Sequence, residues 1–228
     1  MLSFIVQKYI ECPMLINERK FDIRVWALLT QNYEVFFFRE GYLRFSSHKY
    51  STGDHKNPFI HLTNNSVQKH CNQYDEESGN QISLTDMREY LPDEPTNAKI
   101  QAKIREIIWL SLCSARRKIN VNARKDCFEL FGYDFMVDET YKTWLIEVNT
   151  NPAIEECSAV LKALIPRMLD DMFALTIDKI FNLKRKDNPE VYPVKGFADS
   201  ENMWELLGDF GEGVNEKTMG KKLTLVRR

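Results

Sequence analysis

Two apolar runs, residues 132–137 and 144–148, are separated by the polar stretch Asp138-Glu139-Thr140-Tyr141-Lys142, and each run carries one carboxylate, Asp134 in the first and Glu147 in the second. Runs of this length around a short polar break read as a β-hairpin. Strand alternation then turns Asp134 away from Tyr133 and Phe135, and sets Glu147 and Asn149 on one common face. Three oxygen donors can therefore converge. Carboxylates left unpaired among apolar neighbours cost several kcal/mol each and repel one another. A hard cation such as Mg2+, which takes oxygen ligands and keeps positions open for phosphate and water, removes both penalties. A pair of carboxylates salt-bridged at a sheet edge is the alternative.

A second strand narrows the choice. In Lys20-Phe21-Asp22-Ile23-Arg24 three charged side chains alternate with apolar ones and share a face. Phe21, Ile23 and Val25 share the other, so residues 21–29 read as a strand, as does the apolar stretch 4–10. Residues 35–38 and 42–45 flank Arg39-Glu40-Gly41, which predicts another hairpin with Gly41 at the positive φ of its turn. Arg24 and Arg39, near a metal-binding carboxylate pair, form a clamp suited to a transferring phosphoryl group. The competing reading is an exposed polar sheet face paired with nearby acids.

Ile100, Ile104, Ile107, Ile108, Leu112, Ala115 and Ile119 recur at helical spacing, and Leu161 to Ile180 trace a second stripe in which Pro166 opens a new helical segment. Residues 70–95 carry seven acids against Arg88 alone and read as a solvated loop. Residues 99–125 hold eight basic side chains against Glu106, a local charge of +7 in a chain whose net charge is only −2. That stretch is either a solvated helix face or a surface for an acidic partner. It lacks aromatic interleaving, which argues against nucleic acid. A boundary falls near residue 183, giving a domain over residues 1–182 and a tail or linker over 183–228.

Cys12, Cys71, Cys113, Cys127 and Cys157 are odd in number, far apart and without a C-x-x-C pair, so they read as reduced structural thiols of a cytosolic protein. No run approaches the roughly 18 apolar residues of a membrane span. A phosphate-binding G-x-x-x-x-G-K-[ST] loop is absent, His70-Cys71 with His48, His55 and His61 fits no zinc frame, and the acceptor-like Asn64-Asn65-Ser66 has nothing directing it to secretion.

Taken in order, Val6-Gln7-Lys8-Tyr9-Ile10, Lys20-Phe21-Asp22-Ile23-Arg24, Phe38-Arg39-Glu40-Gly41, His61-Leu62-Thr63-Asn64-Asn65, Phe131-Gly132-Tyr133-Asp134 and Ile146-Glu147-Val148-Asn149 resemble the second half of the tubulin–tyrosine ligase-like family. The resemblance spans residues 4–181. It implies the C-terminal part of an ATP-grasp fold, an α+β structure with a mainly antiparallel sheet flanked by helices. It implies an ATP-dependent ligase that joins a free amino acid to tubulin through an acyl phosphate, with ATP and Mg2+ as cofactors.

By the same resemblance, Gln7, Lys8, Tyr9 and Ile10 form the hinge strand that meets adenine, while Lys20, Asp22, Thr63 and Asn64 contact the nucleotide near base and ribose. Arg24 and Arg39 hold the γ-phosphate and the incoming acyl group, and Asp134, Glu147 and Asn149 bind magnesium. Implied partners are the acidic C-terminal tail of tubulin and a free amino acid, without nucleic acid or membrane, for a monomer at cytoplasmic microtubules or the cilium. In the family a further domain and a lid precede the hinge, which here begins at residue 4, so a truncated enzyme is expected; a non-catalytic tubulin-binding module that keeps the fold is the alternative. Asn65 also stands where glutamate-adding members usually have tyrosine, so the sequence does not choose the amino acid.

Overall fold

The structure is a computed structural model that describes residues 6–75, 80–122, 124–184 and 192–210. Its centre is β2 (Arg19–Leu29), which pairs antiparallel with β3 (Glu34–Phe45) on one side and with β5 (Glu129–Val137) on the other. β4 (Gln81–Ser83) and β6 (Thr143–Asn149) complete the order β4-β3-β2-β5-β6, while β1 (Leu15–Ile16) pairs with β2 and β7 (Trp204–Asp209) with β3. Short helices α1 (Pro58–His61) and α2 (Asn65–Gln68) lie between β3 and β4. With its helices the molecule is α+β, built on an antiparallel sheet as expected.

Alternation in β2 produces two cores. Ile23, Val25 and Ala27 join Leu43, Tyr133 and Phe135 beneath α3 (Glu94–Ala115), whose Ile100, Ile104, Ile108 and Leu112 recur every four residues. Trp26 and Leu28 face the other way, against Phe36, Phe38 and Trp204 and the Leu161, Leu164, Met168 and Met172 stripe of α4 (Ala159–Leu175). Each buried aliphatic or aromatic side chain contributes roughly 1.5–3 kcal/mol. The even residues nearer the start of β2, Lys20, Asp22 and Arg24, are also buried, and no helix stripe covers them.

Several expectations are corrected. The turn predicted at Arg39-Glu40-Gly41 does not form: β3 runs unbroken through it, and the chain reverses at residues 30–33, where Thr30 N–H donates to Glu34 O (3.0 Å) and Tyr33 takes a φ of 61°. Gly41 instead lies in an irregular part of the β2–β3 register, where an added Cβ would sit 2.5 Å from Arg24 O and 2.8 Å from Val25 Cγ1. Close approach of the neighbouring strand, rather than turn geometry, calls for glycine there. Residues 6–10 are irregular rather than a strand, because no neighbouring strand pairs with them; residues 4 and 5 lie outside the described residues.

Within 70–95, where a solvated loop was expected, β4 and a 3-10 turn at Asp86–Tyr90 bury Gln81, Leu84 and Met87. Pro166 sits inside α4 rather than opening a segment; the helix begins at Ser158, whose hydroxyl accepts from Leu161 N–H (3.2 Å), and α5 (Ile177–Ile180) follows at Thr176. The basic stretch is helical only as far as Ala115. Residues 204–209, in the expected tail, add β7 to the sheet. None of the five cysteines is in a disulfide, but Cys12, Cys127 and Cys157 are exposed, so a structural role through burial is restricted to Cys71 and Cys113. Among the described residues no helix is long and apolar enough to cross a membrane.

The close approach at Gly41 makes a direct prediction: Gly41→Ala forces a methyl group into the backbone of β2 and should destabilise the protein by about 1–3 kcal/mol. An unchanged urea-unfolding midpoint would count against this packing.

Candidate functional site

The uncovered end of β2 is held by charge. Arg24 lies directly across from Asp134 of β5, and Asp134 directly across from Glu147 of β6. On the other side Asp22 faces Arg44 of β3, and Arg24 faces Tyr42. The Arg24 guanidinium forks onto Asp134, with Nη2 donating to Oδ2 at 3.1 Å and Nε to Oδ1. Arg44 Nε reaches both oxygens of Asp22 at 3.1 Å, and its Nη2 bonds Asp22 and lies 2.9 Å from Asp134 Oδ2. Two guanidiniums and two carboxylates, all buried, thus neutralise one another.

Gly132 helps to make the room, since a Cβ there would come within 3.2 Å of Arg24 Nη1 and 2.8 Å of Pro152 Cβ. Burial would raise the Asp134 carboxyl, but the Arg24 and Arg44 guanidiniums outweigh it and hold the group below its ordinary range. Burial would likewise lower the Arg44 guanidinium, and Asp22 reverses the shift upward.

Register places Gly132 across from Asn149 and Asp134 across from Glu147, so Asp134, Glu147 and Asn149 share one face; an irregularity between Asp134 and Phe135 brings this about, because the unbroken register from Val137 and Thr143 would set Asp134 across from Ile146. Asn149 Nδ2 donates to Glu147 Oε1 at 3.0 Å. Among the described residues no cluster of three or more His, Cys, Asp or Glu side chains gathers, so this set consists of two carboxylates and an amide. All are hard oxygen donors, and Glu147 is exposed.

Beside this row opens a cleft of about 770 Å3 lined by Gln7, Lys8, Tyr9, Ile10 and Lys20, with an apolar wall that includes Met136, Leu145 and Ile146. Lys20 Nζ donates to His61 O (2.8 Å) and Tyr9 OH (3.3 Å) and lies 4.8 Å from the Tyr9 ring centroid. Its ammonium is shifted down by burial, partly opposed by Asp22. Tyr9 OH also meets His61 Nδ1 at 2.8 Å, which ties the 6–10 segment to α1. Thr63 is buried just beyond α1 and Asn64 is exposed ahead of α2. Asp22 belongs to the ion network rather than to the lining of the cleft.

Two arginines differ from the sequence reading. Arg39 does not join Arg24: it bonds Glu201 Oε2 (2.9 Å) and lies over Phe197 (5.3 Å), lining a separate cleft with Glu40 and Arg105. Arg39 has the parity of Phe37 and Leu43, which face the α3 core, whereas Tyr42 and Arg44 lie on the other face. Arg44, across from Asp22, is the second guanidinium beside Arg24, where the clamp was expected to use Arg39. Its signal was present, because Tyr42 and Arg44 alternate with apolar Leu43 and Phe45 as residues 20–24 do.

Together these elements form an antiparallel α+β sheet carrying buried guanidinium–carboxylate pairs, a row of oxygen donors that ends in the exposed Glu147, and an adjoining half-apolar cleft. The sequence profile of the Tubulin-tyrosine ligase family matches residues 2–188. The chain therefore belongs to that family. It is 36% identical over 203 residues to Tubulin glycylase 3B of Tetrahymena thermophila, covering 86% of this chain and 17% of that protein. It is 35% identical over 188 residues to Probable alpha-tubulin polyglutamylase Ttll1 of the same organism, covering 79% and 45%. Against Protein monoglycylase TTLL8 of Mus musculus it is 35% identical over 186 residues, covering 78% and 22%. The chain thus spans less than half the length of each of these relatives.

The network makes a pH prediction. Asp134 has its folded pKa below the unfolded value, so its stabilisation is present above the unfolded pKa of about 3.9 and is lost as pH falls through the folded pKa. Asp134→Asn leaves two buried guanidiniums short of counter-charge and should cost about 3–5 kcal/mol at neutral pH. The gap from the unsubstituted protein should be narrower at acid pH, below the ordinary carboxylate range, as protonation removes the same charge. Urea unfolding at both pH values measures it, and a gap independent of pH would contradict the assignment.

Proposed function

We propose that this chain carries the C-terminal part of an ATP-grasp site and serves an ATP-dependent ligase that adds an amino acid to tubulin through an acyl phosphate. The observation that carries the reading is the row Arg24, Asp134, Glu147 beside the 770 Å3 cleft, in a chain of the Tubulin-tyrosine ligase family. In this reading Gln7, Lys8, Tyr9 and Ile10 border the adenine, and Lys20, Asp22, Thr63 and Asn64 serve the base and ribose region. The apolar wall of the cleft suits a purine, and the Lys20 ammonium supplies a donor at its polar rim.

Asp134, Glu147 and Asn149 would hold magnesium, whose hard oxygen preference their donor set fits. Bound there, magnesium would neutralise charge on phosphate oxygens. The remaining work falls to the chain. Arg24 and Arg44 present fixed guanidinium donors that stabilise negative charge on the transferring phosphoryl group, and their ion pairs hold them in place beforehand. Arg39, on the other cleft, is left out of this role.

The proposed chemistry is balanced in two steps. A carboxylate oxygen of tubulin attacks the γ-phosphorus of ATP, the bond to the β-phosphate breaks, and ADP leaves. The amine of a free amino acid then attacks the acyl carbon, the acyl–phosphate bond breaks, inorganic phosphate leaves, and the amine proton passes to solvent. Similarity to Tubulin glycylase 3B and Protein monoglycylase TTLL8 supports glycine as the first amino acid to test. The proposed place of action is the cytoplasmic microtubule, including the cilium.

The test incubates the chain with Mg-ATP, tubulin and labelled glycine or glutamate in parallel, beside a titration with an ATP analogue. Glu147→Gln, a change at an exposed side chain, should leave folding intact and weaken Mg-dependent nucleotide binding by about tenfold, with label transfer falling at least as far. Tubulin binding without any nucleotide binding would instead favour a non-catalytic module.

A charge prediction accompanies the partner. The basic residues following α3, Arg116, Arg117 and Lys118, are proposed to meet the glutamate-rich tail of tubulin, so affinity for such a peptide should fall steeply with added salt. Salt-independent binding, or binding unchanged when these three residues are neutralised, would sink this contact.

A further inference from the structure

On the α3 side of the sheet a second cleft, of about 210 Å3, lies between the bulged part of β3, the 3-10 turn and the first half of α3. Its polar lining is unusually incomplete. Glu40 is 1% exposed, and its carboxylate accepts from Gly41 N–H (3.0 Å), Thr85 N–H (3.1 Å) and Thr85 Oγ1 (2.5 Å). A carboxylate has about four acceptor positions, and among the described residues no cation pairs with this one. Burial accordingly pushes the Glu40 carboxyl up, although the Thr85 and Gly41 hydrogen bonds oppose it.

Asn97, 6% exposed, donates from Nδ2 to Glu94 Oε1 (3.1 Å), and its Oδ1 is buried without a partner. The cleft therefore offers acceptors that lack a cationic donor. It also offers donors that lack an anion. Arg39 Nε is buried and unpartnered, its Nη2 being taken by Glu201 and by Asn202 O. Arg88 uses only Nε, toward Thr85 O (3.1 Å), and its terminal nitrogens make no hydrogen bond among the described residues. Phe197, against the Arg39 guanidinium, supplies an aromatic wall.

Leaving buried donors and acceptors unsatisfied costs about 1–3 kcal/mol each. A ligand that answers both sets at once must carry an ammonium and a carboxylate in a molecule small enough for this volume. A plain oxyanion would leave Glu40 and Asn97 unanswered, and a plain amine would leave Arg39 and Arg88 unanswered.

We propose that this cleft binds a free α-amino acid, its carboxylate on Arg39 and Arg88 and its ammonium on Asn97 Oδ1 and Glu40. The inference stands apart from the reading of the polar face, because α3 and the Lys20, Asp22, Arg24 row lie on opposite sides of β2.

Isothermal titration of the 228-residue chain with glycine, alanine and glutamate tests it, with acetate, methylamine and hydrogen phosphate as fragments that match only part of the lining. Amino acids should bind measurably and each fragment at least about tenfold more weakly. Arg88→Met changes an exposed side chain and Asn97→Leu removes the unanswered amide oxygen together with the Nδ2 bond to Glu94; each should weaken amino-acid binding about tenfold while circular dichroism remains unchanged. Glu147→Gln should leave it unaltered. Absence of amino-acid binding, acetate or hydrogen phosphate binding as tightly as the amino acids, binding undiminished in both cleft variants, or binding lost in Glu147→Gln would each overturn the proposal.

Discussion

The structure depends on the Asp22, Arg24, Arg44 and Asp134 network, because it lets a strand that is apolar on one face be buried with charges on the other. β2 contacts a strand on each side, and its odd residues pack under α3. Without cationic partners Asp22 and Asp134 would oppose that burial by several kcal/mol each. Forked guanidiniums satisfy them across three strands and fix the lateral register of β3, β2 and β5 at one level.

That arrangement has a functional consequence. Arginines already bound to carboxylates cannot swing freely, so the face they present is set before any ligand arrives. Removing one member uncovers the charge of another, which ties the integrity of the site to that of the fold. The adjoining cleft is more loosely built: Lys20, Tyr9 and His61 close one rim through side-chain contacts, and the 6–10 segment joins no strand.

Much of the local structure was legible because it obeys short periods. The alternation in residues 20–28 separates the two cores, the hairpin brings together the strands that carry Asp134 and Glu147, although a register irregularity sets those two opposite, and the isoleucines of α3 fall every four residues. The paired charges on the Lys20, Asp22, Arg24 face answer the alternative of a polar face neutralised by nearby acids, except that the face is buried. Failures occurred where contact with a neighbour overrode local preference. Gly41 looks like a turn glycine until Arg24 O is found against it, and Pro166 looks like a helix start until Ser158 caps the helix about two turns earlier. β7 and β4 are short strands whose pairing with β3 is remote in sequence, so neither gave a usable signal.

The sequence by itself determined which residues share a face within each regular run of a strand or helix, since side-chain direction repeats every two residues in a strand and every three to four in a helix; only the structure shows the irregularity that brings Glu147 to the face of Asp134. It also determined the family, through ordered strings that the profile match bears out. Only the tertiary structure decided which of the arginines in β3 meets Arg24 and Asp134. Local alternation sets Arg39 and Arg44 on opposite faces, and the irregularity near Gly41, which takes up two extra residues of β3, leaves that facing unchanged. Arg44 enters the ion network and Arg39 turns to the cleft of Glu40 and Phe197 because the pairing of β3 with β2, which local alternation does not give, sets Arg44 across from Asp22.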